Sequence, residues 1–354
     1  VKYRERILSL LAVPTRFAKF YLFLLLFLGL SFLSIYFVYK KIGGNSFAFD
    51  KQLISFDFLT YIVILLFLYF LFDGLRLYFV LRSINEKVPF KDIFKLVFIN
   101  IFISNVTPLA TGGGFVQIFY LTKNGVPMGK ASAATLIRTF LAVIFLFISA
   151  PLIIIFAKSG QFASFLTDNI YTYIFVILAL YFLAFYVVVF KKRYICCIVY
   201  IFLRLLRKMH FISHRRFRRY KFKSIKQIIL FSKSLAWFLK GDIKFVASSI
   251  FFTFMFLMSL FSFSAIILWE LSYAVGYFDI VGLQVVITFL MYFAPTPGAS
   301  GVAEGAYSVL FSKFVSQNDI TLVTLSWRFF TIYIGVFIGM IVLYWDLFRK
   351  GKKR

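Results

Sequence analysis

The sequence predicts an all-α polytopic membrane protein, with about six full spans and two re-entrant broken-helix hairpins that form an inverted repeat. Three observations predict it. Of the 354 residues, 62% are hydrophobic and the mean hydropathy is +0.91; soluble domains sit nearer half apolar and lack runs of this length. A short phrase occurs twice, as Thr107-Pro-Leu-Ala-Thr-Gly112 and Thr296-Pro-Gly-Ala-Ser-Gly301. The 40 Lys and Arg residues also fall mostly on alternate loops, as they do in proteins oriented by cytoplasmic positive charge.

The repeated phrase organises the chain. Each copy follows an apolar run, 94–106 or 281–294, shorter than the roughly twenty residues a span needs. Proline removes a backbone donor and glycine loosens the chain, so a helix breaks there. Broken backbone at membrane depth survives only when buried in protein or lining a cavity. Paired interrupted segments in corresponding halves point to a transporter's binding site. About thirty residues after each phrase an arginine sits in a hydrophobic helix, Arg138 and Arg328.

In chain order, residues 1–19 carry Lys2, Arg4, Arg6, Arg16 and Lys19 against Glu5, which predicts a cytoplasmic N-terminus. The apolar run 20–39 is full-span length with no small-residue cleavage site after it, so it is expected as a first membrane helix. A second helix over 58–81 returns. Loop 82–93 is cytoplasmic, with Arg82, Lys87 and Lys91. A re-entrant hairpin over 94–130 follows, then helix 131–156 outward and helix 171–190 back. Helix 245–270 crosses outward again, a second hairpin over 281–316 enters from outside, and helix 321–345 returns. The tail holds Arg349, Lys350, Lys352, Lys353 and Arg354, so the C-terminus is also cytoplasmic. One membrane domain is expected over 1–354, with a first half at 58–156 and a second at 245–347. Charge leaves one alternative open: two tilted crossings in place of each hairpin.

The segment 191–244 holds sixteen Lys and Arg residues and one acid, Asp242. It reads as a basic cytoplasmic loop against anionic lipid. An acidic protein partner docking there is the other reading. Residues 194–209 mix apolar and basic positions and suit an interfacial amphipathic helix. No nucleic-acid-binding motif accompanies the net charge of +27. His210 and His214 lie among Arg215, Arg216, Arg218 and Arg219, which would repel a metal cation. The adjacent Cys196 and Cys197 suit small apolar packing rather than a structural disulfide. No cofactor is implied, and no nucleophile–base–acid set is present, so the chain does not read as an enzyme. Gly112-Gly113-Gly114 lacks the trailing Gly-Lys-Ser/Thr of a phosphate-binding loop.

Ionisable groups inside apolar segments mark a polar pathway by default. Here they are Arg138, Arg328, Glu304 and the pair Asp73 and Arg76, three residues apart on one helix face. Asp73 and Arg76 read either as an internal ion pair or as substrate contacts. Glu304 either neutralises Arg328 across the tip of the second hairpin or meets a ligand. Helix N-termini following Pro108 and Pro297 are expected to offer free N–H groups and a positive dipole end. With two arginines able to make forked, charge-assisted hydrogen bonds, the site suits an anionic lipid headgroup. Thr107, Gly112, Gly113, Gly114, Gln117, Thr296, Gly298 and Gly301 complete the candidate set.

Two blocks resemble the lysylphosphatidylglycerol synthase transmembrane family, also described as flippase-like. The first runs from Asn105-Val-Thr-Pro108 through Gly113-Gly114 to Gln117-Ile-Phe-Tyr-Leu121 and Arg138. The second runs from Pro295-Thr-Pro-Gly298 through Gly301-Val-Ala-Glu304 to Arg328. The resemblance covers roughly 17–347. It departs at Gly114-Phe115, where many relatives carry a polar residue and proline, and no soluble aminoacyl-transfer domain is expected. What the resemblance implies is the lipid-translocating half without the synthetic half. The expected activity is movement of an anionic or aminoacyl-modified phospholipid, or a polyprenyl-phosphate lipid, between leaflets. The alternative is a non-transporting membrane partner that binds lipid and docks a separate lipid- or glycan-modifying enzyme. Richness in Phe, Ile, Lys and Tyr is compatible with an AT-rich bacterial genome, so the expected location is a bacterial cytoplasmic membrane.

Overall fold

A computed structural model describes residues 25, 27–40, 50–107, 110–156 and 214–351, with isolated positions between 197 and 207. The predicted span at 171–190, the stretch 1–19, His210 and most of 194–209 lie outside the described residues. The protein is all-helical and polytopic. Among the described residues its continuous α-helices are α1 (Phe27–Lys40), α2 (Phe56–Ser83), α3 (Phe90–Val106), α4 (Thr111–Lys123), α5 (Met128–Phe156), α6 (His214–Lys240), α7 (Ile243–Glu270), α8 (Tyr277–Met291), α9 (Val302–Phe311), α10 (Ile320–Arg328) and α11 (Ile334–Gly351). Among the described residues four runs are long and apolar enough to cross a membrane: Phe56–Ser83, Met128–Leu146, Ile243–Glu270 and Ile320–Asp346. The last run contains a π-helical turn, Phe329–Tyr333, between α10 and α11.

The outer faces explain why these helices need lipid. The first half of α2 exposes Phe56, Leu59, Tyr61, Val63, Ile64 and Phe67. Water would not tolerate so continuous an apolar patch on a monomer. Helices satisfy their own backbone groups, which is the condition for crossing hydrocarbon.

The chain forms two compact units. One comprises Val1–Phe70, Phe94–Val116 and Met258–Arg354; the other comprises Leu71–Ile93 and Gln117–Leu257. Neither coincides with a sequence half. In the first unit Phe70 packs on Phe98 at 4.7 Å between ring centroids, and Tyr69 meets Phe263 edge-on. Gly335 and Gly339 let α11 approach α3: a Cβ at Gly335 would lie 3.0 Å from Ile101, and one at Gly339 would strike the Phe98 carbonyl and Phe102 Cβ. Backbone cannot yield as a side-chain tip can. Gly339→Leu is therefore expected to destabilise the protein by about 3 kcal/mol, read as a lower unfolding midpoint in detergent micelles. An unchanged midpoint would show that α11 does not rest on α3.

In the second unit Phe79 stacks flat on Phe252 at 5.3 Å, joining α2 to α7. The stretch read as a basic loop contains the 27-residue helix α6, which packs along α5. At Gly129 the α5 backbone approaches so closely that a Cβ would lie 2.7 Å from the Gln227 carbonyl. The Gln227 side chain accepts from the Gly129 N–H at 2.7 Å. Asp242 then caps α7, accepting from the Lys244 N–H at 2.9 Å.

Both broken segments are hairpins whose feet are tied. Lys130, after α4, donates to Glu86, before α3, at 2.7 Å. Tyr273, before α8, donates to Asp319, after α9, at 2.5 Å, and accepts from the Ser316 N–H at 3.2 Å. Burial and the Asp319 carboxylate hold the Tyr273 phenol above its ordinary value. The arms are short: α8 has 15 residues and α9 has 10, about 22 and 15 Å at 1.5 Å per residue.

Candidate functional site

The first break is built around one hydroxyl. Thr107 Oγ1 donates to the Ile103 carbonyl at 2.8 Å, finishing α3, and accepts from the Gly112 N–H at 3.0 Å, opening α4. Ala110 turns the chain with φ of 51°. A Cβ at Gly112 would lie 2.6 Å from Thr107 Cγ2, and one at Gly113 would fall on Ser104 Oγ. The glycines therefore let α4 fold back against the end of α3. Gly114 is half-buried and Phe115 beside it is exposed. Pro108 lies outside the described residues. Gln117 is buried, and its Nε2 has no hydrogen-bond partner among the described residues.

The second break is more strained. Gly298 and Gly301 have φ of 59° and 90°, and Ala299 between them has 55°, the left-handed region that costs a side chain energy. Thr296 Oγ1 donates to the Ser300 carbonyl at 2.8 Å and closes the turn over buried Pro297. Ser300 Oγ lies 3.0 Å from Ser31 Oγ on α1. The two hairpin tips meet here: a Cβ on Gly298 would sit 3.2 Å from Asn105 Oδ1 and 2.6 Å from the Phe27 ring.

Glu304 and Arg328 lie beneath this turn, 0% and 1% exposed. Arg328 Nε donates to Glu304 Oε1 at 2.7 Å, and Nη2 donates to the Gly298 carbonyl at 3.0 Å. The other carboxylate oxygen, Oε2, accepts from the Gly301 N–H at 2.7 Å. One carboxylate thus holds the arginine and caps α9 together. Tyr307 stacks between Phe311 and Trp327, at 4.3 and 4.4 Å, and walls the pair off. Arg328 is also the last residue before the π-helical turn, a feature frequent at functional sites.

A second buried ion cluster occupies the other unit. Asp73 accepts from Arg138 Nη2 through both oxygens, at 2.5 and 2.6 Å, and from Arg76 Nε at 2.6 Å. Asp73, Arg76 and Arg138 are 2%, 7% and 5% exposed. The Arg76 guanidinium also lies 3.8 Å from the centroid of Phe256, a cation–π contact. Among the described residues one carboxylate faces two guanidinium groups here. The Glu304–Arg328 pair is neutral.

One N–H at each of the helix starts expected to be free has an internal acceptor. The Gly112 and Gly301 N–H groups bond to Thr107 and Glu304, because a buried unpaired N–H costs more than the local turn that satisfies it. Asp73 and Arg76 do not form a closed pair; Arg138 shares the carboxylate. Sequence reading missed Ser31, Asn105 as a tip contact, and Trp327. Asn105, which opens the first block, and Trp327, adjacent to Arg328, carried a local signal; Ser31 did not.

The transmembrane-region model of the lysylphosphatidylglycerol synthase family matches residues 23–339. A UPF0104 membrane protein of Archaeoglobus fulgidus is 24% identical over 291 residues, covering 79% of this chain and 84% of that one. A UPF0104 membrane protein of Methanocaldococcus jannaschii is 34% identical over 85 residues, covering 23% of this chain and 25% of that one. With the match running through both broken hairpins and both buried arginine clusters, the chain belongs to the lysylphosphatidylglycerol synthase transmembrane family.

Proposed function

We propose that this chain is a lipid translocase and not an enzyme. It moves a lipid with an anionic headgroup between leaflets of the cell membrane, with both hairpins re-entrant and both termini in the cytoplasm. The candidate substrates are an anionic or aminoacyl-modified phospholipid and a polyprenyl-phosphate lipid. One observation carries the reading. Arg138 Nε and Arg328 Nη1 are buried and have no acceptor among the described residues. Arginine only donates, so each cluster lacks an acceptor, and a phosphate oxygen supplies one. Glu304 balances Arg328 or meets the amine of an aminoacyl group. Transport is passive or coupled to a gradient.

Headgroup accessibility in proteoliposomes tests this, with labelled phosphatidylglycerol, its aminoacyl form and a polyprenyl phosphate. Arg138→Gln is the cleaner variant, because Asp73 keeps Arg76 as its counter-ion. Losing one charged hydrogen bond is worth about 1.5–3 kcal/mol, so transport of the preferred lipid should fall roughly ten- to hundredfold. Arg328→Gln should fall at least as far. Wild-type rates in both folded variants would reject the proposal.

A further inference from the structure

Helix α6 carries nine Lys and Arg residues and no acid over His214–Lys240. It is long enough to span a membrane at 27 residues, yet it is not among the runs apolar enough to do so. Its inward face is set by Phe217, Ser234 and Phe238, which are buried. Its outward face reads Phe222, Lys226, Ile229, Lys233, Trp237 and Lys240, all exposed. These positions are three or four residues apart, so they form one continuous stripe. Along it an apolar side chain alternates with a lysine at every step. Phe222 is 73% exposed, and Leu239 beside the stripe is 65% exposed.

Charge alone would suit an acidic protein. It would not account for a phenylalanine, an isoleucine and a tryptophan left in the open between the lysines. A membrane surface takes both: apolar side chains enter the boundary between headgroups and acyl chains, and lysine stems extend along it with their ammonium groups among phosphates. The position of α6 agrees. A Cβ on Gly241, just after it, would lie 3.0 Å from the Ser83 carbonyl at the end of α2. Lys130, at the start of α5, lies 5.3 Å from the Trp237 ring centroid. Two residues separate the end of α6 from the apolar helix α7, which begins at Ile243. The second half of α6 thus meets the start of α5 and the end of α2.

We propose that α6 is a surface helix seated in the headgroup layer of an anionic leaflet, with the Phe222–Lys240 stripe as its lipid-binding face. This inference does not depend on translocation. The full chain, with Cys196 and Cys197 replaced by Ser and Phe222→Cys carrying an environment-sensitive fluorophore, tests it in phosphatidylcholine vesicles containing phosphatidylglycerol. Lipids brominated near the headgroup should quench the label at least twofold more than aqueous iodide does. Quenching by iodide and not by brominated lipid would overturn the proposal and leave the face open to an acidic protein.

The charge contribution has its own test. Lys226→Gln, Lys233→Gln and Lys240→Gln together should lower the preference of the protein for spin-labelled phosphatidylglycerol over spin-labelled phosphatidylcholine at least twofold. An unchanged preference would overturn the assignment of the lysines to lipid. Should Phe222→Cys fail to fold, the Trp237 signal, taken as the difference between wild type and Trp237→Phe, reads the same quenching.

Discussion

Asp73→Ala is expected to destabilise the protein by about 3–5 kcal/mol, the cost of breaking a buried ion pair by removing one partner. The carboxylate accepts three hydrogen bonds from two arginines, both less than a tenth exposed. Its loss leaves two guanidinium groups of like charge buried together. Unfolding midpoints in detergent micelles read the effect. Arg138→Met added to Asp73→Ala should recover much of the loss, because an apolar side chain of similar length carries no charge to desolvate. A loss below about 1 kcal/mol, within the range of an exposed pair, would mean that water reaches the cluster and neutralises it.

Glu304→Ala is expected to cost a similar amount, about 3–5 kcal/mol, with a local consequence as well. Glu304 holds Arg328 with one oxygen and the Gly301 N–H with the other, at 2.7 Å each. Removing it strands a fully buried guanidinium and uncaps α9 at the strained turn. Protease sensitivity at 292–301 should rise together with the fall in midpoint. Glu304→Asp should not rescue fully, since a side chain one methylene shorter cannot hold both contacts. Glu304→Ala combined with Arg328→Met should regain stability while transport stays lost. That split separates the structural task of the pair from its contact with a headgroup. Full protection of the tip in Glu304→Ala would show that the serine and threonine contacts hold the turn without the carboxylate.

The helices were legible because hydropathy and charge are local properties of the chain. Runs near 58–81 and 245–270 are apolar for as long as a bilayer is thick, and they appear as Phe56–Ser83 and Ile243–Glu270. The breaks were legible because proline and glycine act on their own backbone. Gly298 and Gly301 adopt positive φ where the repeated phrase predicted interrupted helix. The helical form of 214–240 was missed because a high density of like charge reads as loop. Residues between the cations hold it against α5, with Gln227 and Leu230 meeting Gly129.

The ion clusters divide the same way. Asp73 and Arg76 are one helical turn apart, so their contact follows from the helix alone. Arg138 lies 65 residues from Asp73 in the chain, and no local rule selects it as the partner. Arg328 reaches Glu304 across 24 residues and the Gly298 carbonyl across 30. By itself the sequence determined the membrane as solvent, the apolar runs, the two breaks and the ionisable groups placed where they are costly. Only the tertiary structure decided which carboxylate holds which arginine, and that the Gly112 and Gly301 N–H groups are taken by Thr107 and Glu304. The physical reason is that a buried charge takes the nearest opposite charge in three dimensions, and that distance is set by how the helices pack.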